Sequence, residues 1–155
     1  MKLRNFLFLI TFLLVIIGSS QERVGHEGRK VLKLFAKRVS THDVKRTMVL
    51  IDGSFKQIQL INILKNDTLS FLNNFFCGKI AENNSVNCAN FMDIKECKFK
   101  HAGYFMQKDK NFAMAPVIFT IIMKNGIVFD TQLMLLRYSN AGKKKFLYRL
   151  AGTVG

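Results

Sequence analysis

Asp130 is a lone carboxylate inside the apolar stretch 127–138, where it shares its parity with Gln132 and Tyr138. A carboxyl group in apolar surroundings can be tuned into a proton shuttle, because burial disfavours its charged form. His101 and Tyr104, at the end of an earlier segment, are side chains that could exchange a proton with it. A second reading has Asp130 and Gln132 facing solvent while His101 and Tyr104 border a loop. No motif falls on these positions, so no catalytic residue is assigned.

Other chemistries lack their signatures. The chain has no Gly-x-Ser-x-Gly, no glycine-rich phosphate loop ahead of a helix, and no His-Glu-x-x-His. A Cys nucleophile with a His base has nothing in the spacing to recommend it. Cys77, Cys88 and Cys97 form no Cys-x-x-Cys and have no His pair nearby, which argues against zinc. No cofactor and no metal are expected.

The start of the chain decides where these groups must fold. Lys2 and Arg4 precede an apolar run over 6–17, which leads into Gly18-Ser19-Ser20. Charged start, short apolar core and small-residue exit form the pattern of a secretory leader over 1–20. Crossing a bilayer as a helix takes about twenty apolar residues, more than this run offers, so no membrane span is expected after cleavage. In a secreted chain the cysteines pair rather than bind metal. Three single bridges are open and the spacing does not choose among them. Cys77 with Cys88 would close the polar loop between them and leave Cys97 to the core. Two glycosylation sequons start at Asn66 and Asn83, and Asn83 lies in that polar loop.

Charge is the other strong signal. The 24 Lys and Arg against 10 Asp and Glu give a net charge of +14. Loss of Lys2 and Arg4 with the leader would reduce it to about +12, still enough to attract polyanions or acidic proteins. Outside a cell, nucleic acid is not an expected partner. Lys143, Lys144 and Lys145, flanked by Arg137 and Arg149, could make one basic patch at a hairpin tip, or simply a charged turn that keeps the hairpin soluble.

The elements that would position these groups follow from periodicity. Residues 21–27 have no period and read as a flexible N-terminus, ahead of one domain over 28–155. Val31, Leu34, Phe35 and Val39 make a core stripe on a helix over 29–40. Ser40 to Asp43 offers capping groups for a second helix over 44–51, which Asp52-Gly53 ends. The alternation in 55–63 suggests a strand. Asp67 and Thr68 cap a third helix carrying Leu69, Leu72, Phe75 and Phe76, with Gly78 as its stop. A strand over 91–104, with a change of parity near Glu96, implies a bulge. Asn125-Gly126 between two apolar runs is a strong hairpin cue, since both turn positions require positive φ. A second hairpin follows through 139–142 into 145–151. Pro116 stands at the start of a strand, where its missing N–H is tolerated. Helices ahead of a meander give an α+β domain, about three helices covering one face of a curved antiparallel sheet.

This arrangement resembles the nuclear transport factor 2-like superfamily, and more narrowly its small secreted nematode members. The likeness rests on the amphipathic helix over 29–39, the short helix over 43–51 leading into Ser54-Phe55, residues 68–72, and the long hairpins after Pro116. It implies a cone-shaped sheet wrapped around a helix, with a pocket at the wide end. Members of such a fold include transport factors, isomerases, dehydratases and pocketed binding proteins, so chemistry has to be read from the pocket itself. The expected function is that of a non-enzymatic secreted protein binding a small apolar ligand, a protein or a polyanion. The alternative is a pocket enzyme transferring a proton. The sequence leaves the oligomeric state open.

Overall fold

The computed structural model describes residues 22–62, 67–79, 86–139 and 145–152, with the backbone alone for 59–62. The leader 1–20, Asn66, Asn83, Lys143 and Lys144 lie outside these residues. The order is β1 (Glu22–Arg23), α1 (His26–Ser40), α2 (Val44–Leu50), α3 (Gly53–Asn62), α4 (Thr68–Phe75), β2 (Cys77–Lys79) and β3 (Val86–Cys88). A 3-10 turn at Phe91–Asp93 then leads into β4 (Ile94–Ala102), β5 (Tyr104–Asp109), β6 (Phe112–Met123), β7 (Val128–Ser139) and β8 (Phe146–Gly152). The fold is α+β, with helices ahead of an open antiparallel sheet. The described helices number four, where periodicity gave three.

Helix α1 buries Leu32, Phe35, Ala36 and Val39, so the stripe is rotated from the expected one and Leu34 is left 41% exposed. The helix closes with paired bonds from His42 N–H to the Val39 carbonyl and from Asp43 N–H to the Arg38 carbonyl, both 3.0 Å. That closure requires a left-handed residue, and His42 takes it at φ 53°. Its cost is offset locally. The His42 Nε2 lies 2.8 Å from the Ile94 carbonyl oxygen, and its ring meets Phe91 edge-on. Asp43 then caps α2, accepting the Arg46 N–H at 3.0 Å.

Residues 55–62, expected as a strand, belong to helix α3. The reason lies upstream. Asp52 takes the Phe55 N–H on its carboxylate and the Lys56 N–H on its carbonyl, each at 3.0 Å, which starts a helix rather than ending one. Ile58, whose alternation suggested a strand, is 59% exposed. Gly78 is a second correction. Helix α4 stops at Phe75, and Gly78 sits in β2, where any Cβ would overlap the Asp130 carbonyl oxygen of β7.

The sheet is organised around the hairpin β6–β7, which runs in register from Phe112 opposite Tyr138 to Ile122 opposite Val128. Each of these twelve-residue strands shares its outer edge between two partners in succession. β6 pairs with β5 near its start and with β4 beyond Pro116, while β7 pairs with β2 near its start and β8 afterwards. Pro116 is therefore inside β6, not at its start. Its carbonyl accepts from Gly103 N–H at 2.8 Å in the gap between β4 and β5, so its missing N–H faces that gap and costs no bond to β7. The bulge expected near Glu96 is present as a register shift between Ile94 and Glu96.

Alternate residues of β6 (Ala113, Ala115, Val117, Phe119, Ile121) and of β7 (Phe129, Thr131, Leu133, Leu135) point inward onto the helices. Phe35 fills the space between them, with its ring 5.5 Å from Phe119, 5.9 Å from Phe76 and 6.3 Å from Phe75. A fully buried Phe contributes about 1.5–3 kcal/mol, so this cluster is a principal source of stability. At the N-terminus, where no period is visible, Glu22 and Arg23 pair with Phe105 and Tyr104. Among the described residues no helix is long and apolar enough to cross a membrane.

Candidate functional site

The structure does not gather Asp130, His101 and Tyr104. Asp130 pairs across the sheet with Thr120, on the face turned away from the helices. Its carboxylate accepts from Lys100 Nζ at 2.5 Å and from Thr120 Oγ1 at 2.6 Å, and its side chain is 41% exposed. Partial burial pushes the carboxyl up, but the ammonium and the hydroxyl together hold it below the usual carboxylate range. Such a group is a poor proton acceptor near neutrality. His101 lies opposite Ile118, and Ile118 opposite Gln132, so His101 is level with Gln132, and it is Lys100 of the same strand that reaches Asp130 across β6. Tyr104 is occupied elsewhere, accepting the Arg23 Nε at 3.2 Å. The single strand expected over 91–104 is instead a 3-10 turn, then β4 ending at Ala102 and β5 opening at Tyr104, so His101 and Tyr104 lie on different strands.

A concave site is found at the other side of the sheet. β8 pairs with β7 along one edge, and along the other Ile51 and Asp52 meet Leu150 while the Phe55 ring lies against Gly152. The Asp52 N–H donates to the Leu150 carbonyl at 2.7 Å. Ahead of that contact, a groove of about 370 Å³ runs between β8 and the helices. Val31 of α1, Leu50 of α2 and Phe146, Leu147 and Tyr148 of β8 give it apolar walls, while Glu27, Lys145 and Arg149 supply charge. Arg149 turns a guanidinium N–H back onto the Tyr148 carbonyl at 2.9 Å. Glu27 is drawn outward by Lys30, 3.1 Å away.

Beside this groove lies Arg137. It shares the inward parity of Leu133 and Leu135 on β7 and stands opposite Ala113 on one side and Tyr148 on the other. Ala113 is small and buried, leaving room for the guanidinium. That group lies 4.3 Å from the centre of the Phe105 ring and 4.7 Å from that of Phe146. Its side chain is only 8% exposed, and its charged partner is Glu22 of β1, whose side chain is 58% exposed. Arg149 pairs with Leu136 on the opposite face, so Arg137 and Arg149 do not form one basic patch. A cation on the apolar parity of β7 is a signal that the sequence carries. Its aromatic flanks, from β5 and β8, belong to the fold.

Polar chemistry also collects where β8 meets α3. The Tyr138 hydroxyl donates to Asp52 at 2.7 Å; burial, followed by that carboxylate, pushes the phenol up to about 12. Lys56 donates to the Met48 carbonyl at 2.8 Å, and burial with the nearby Arg149 holds its ammonium below the usual range. Tyr138 and Asp52 satisfy each other, Lys56 is held by the Met48 carbonyl, and together they brace the edge.

Cys77 and Cys88 form a disulfide across the β2–β3 pair, with Cα atoms 4.0 Å apart. Closing a loop of this length stabilises a fold by about 3 kcal/mol. Cys97 is free and buried, packed beside Ser40, whose hydroxyl accepts the Cys97 N–H at 2.8 Å. Among the described residues no cluster of His, Cys, Asp and Glu could hold a metal ion.

Compared with protein-family models, with curated proteins and with solved structures, the chain matches none.

Proposed function

We propose that this chain is a secreted, non-enzymatic binding protein of nuclear transport factor 2-like architecture, and that it takes a small apolar ligand in the groove along β8. The observation that carries this is the groove. Its volume of about 370 Å³ falls within the range of small-molecule sites, and its walls are apolar with a few charged groups at the margin. The interior between α1 and the sheet is filled by Phe35, Phe76 and Phe119, so a ligand has more room at the β8 edge than at the centre. Kinship with the superfamily is supported by helices leading into long hairpins, each central strand changing partner along its length. Secretion is supported by the leader pattern and by the disulfide, a bond of oxidising compartments. Arg137 and Arg149 face opposite sides, which favours a groove ligand over a polyanion bound to one basic patch.

The test is titration of the disulfide-bonded chain with an uncharged apolar dye such as Nile red, followed by fluorescence. Saturable binding is expected, and Leu147→Glu, which puts a carboxylate on an exposed part of the wall, should weaken it by about tenfold or more. Dye binding that does not saturate, or that ignores this substitution, would overturn the groove as the site.

A further inference from the structure

Arg137 is a buried cation that the fold neutralises from outside its own sheet neighbours. A guanidinium flanked by two aromatic rings is desolvated and geometrically fixed, which strengthens its bonds to a planar two-oxygen acceptor. The side chain is 8% exposed, yet its acceptor, the Glu22 carboxylate, comes from a strand of two residues and is 58% exposed. Deeply set cation and shallow, weakly anchored anion make an asymmetric pair. Glu22 stands opposite Phe105 on the inward side of β5, so it reaches Arg137 past the ring that flanks it. The other flanking ring, Phe146, also forms a wall of the groove, as does Tyr148 directly opposite Arg137.

We infer that Arg137, between Phe105 and Phe146, is a carboxylate-binding anchor at the end of the β8 groove, that Glu22 of β1 fills it as a built-in competitor, and that the ligand is an amphiphile with an apolar tail and a carboxylate head. The inference rests on the groove being a ligand site. The tail lies along Val31, Leu50 and Tyr148, the groove residue on the same face as Arg137, while the head displaces Glu22. Lys145 at the groove margin adds favourable charge, and Glu27, the carboxylate that would oppose an anion there, is already turned to Lys30. Because the anchor is free only when Glu22 withdraws, the apparent affinity of a ligand is reduced by the fraction of time that Glu22 occupies it. The N-terminal strand thereby sets the affinity of the site.

The experiment is calorimetric titration of the disulfide-bonded chain with dodecanoate and, in parallel, with dodecanol, which has the same tail and no charge. Dodecanoate is expected to bind more tightly than dodecanol by about tenfold, and Glu22→Gln to tighten dodecanoate by about a further tenfold with dodecanol unchanged. Arg137→Met should reduce dodecanoate to the affinity of dodecanol, and Arg137→Lys should keep part of the preference, which controls for loss of folding. Equal binding of acid and alcohol, unaffected by Glu22→Gln, would overturn the anchor and leave the groove standing. Binding of neither ligand to the wild type or to Glu22→Gln would overturn both.

Discussion

The phenol of Tyr138 reaches across the edge strand β8 to place its hydroxyl 2.7 Å from Asp52. Asp52 is buried, 7% exposed, and the same carboxylate caps α3 through the Phe55 N–H. One side chain thus ties the start of a helix to the sheet. Tyr138→Phe should cost about 1 kcal/mol, the value of one hydrogen bond, whereas Asp52→Ala loses cap and acceptor together and should cost about 2–3 kcal/mol. Urea unfolding of the two variants measures the difference. Equal costs would show that the cap contributes nothing.

Stability should fall at alkaline pH, and the sign follows from two raised groups. Burial, with Glu96 adding, pushes the Cys97 thiol from 9.0 to about 12, and Tyr138 rises from 10.0 to about 12. Both hold their protons more tightly when folded. Their contribution is therefore complete below pH 9 and is lost as pH climbs from there toward about 12. A thiol displaced this far should account for a loss on the order of 3 kcal/mol by pH 11. Guanidinium unfolding from pH 8 to about 11 should show the slope, reduced in Cys97→Val. An identical slope in that variant would remove Cys97 as the cause.

Gly78→Ala should destabilise the fold far more than a glycine in an open strand would. An added Cβ meets the Asp130 backbone carbonyl, which cannot move without parting β2 from β7. The expected cost is about 2–3 kcal/mol, the upper range for forced overpacking. Thermal unfolding gives the answer directly; a neutral substitution would mean that β2 pulls away freely.

Asp130→Asn, by contrast, should change stability by less than about 1 kcal/mol, because exposed ion pairs contribute little. Its partner Lys100 has a side chain 57% exposed. Lys100→Met should be equally mild, and salt should narrow either effect. A loss of several kcal/mol in chemical denaturation would contradict the solvent-facing placement of this pair.

Local rules carried far through this chain. The hairpin at Asn125-Gly126, the alternation in β6 and β7, the Asp67 cap of α4 and the parity shift near Glu96 are decided by neighbours a few residues apart, and the structure contains each of them. Only Gly126, however, takes the positive φ expected at both turn positions, because Met123 bonds to Ile127 around a loop of Lys124, Asn125 and Gly126. The α+β class follows from their order. Where two local signals competed, the sequence misled. Alternation in 55–63 suggested a strand, yet Asp52 beside β8 nucleated a helix whose Phe55 packs on Phe71 and Phe75. Gly78 resembled a helix stop because the carbonyl that crowds it is 52 residues away in β7.

The site was still less legible. Parity put Asp130 on a strand, and an apolar run put His101 and Tyr104 at the end of one other, without showing that this run divides at Gly103 or which strands adjoin. Arg137 was visible as a cation on the apolar parity of its strand. Its aromatic flanks and its Glu22 partner come from β5, β8 and β1, segments up to 115 residues distant in the chain. Periodicity reports which way a side chain points relative to its own strand. Which side chains meet is fixed by strand order and register, and those are settled by burial of the whole sheet against the helices.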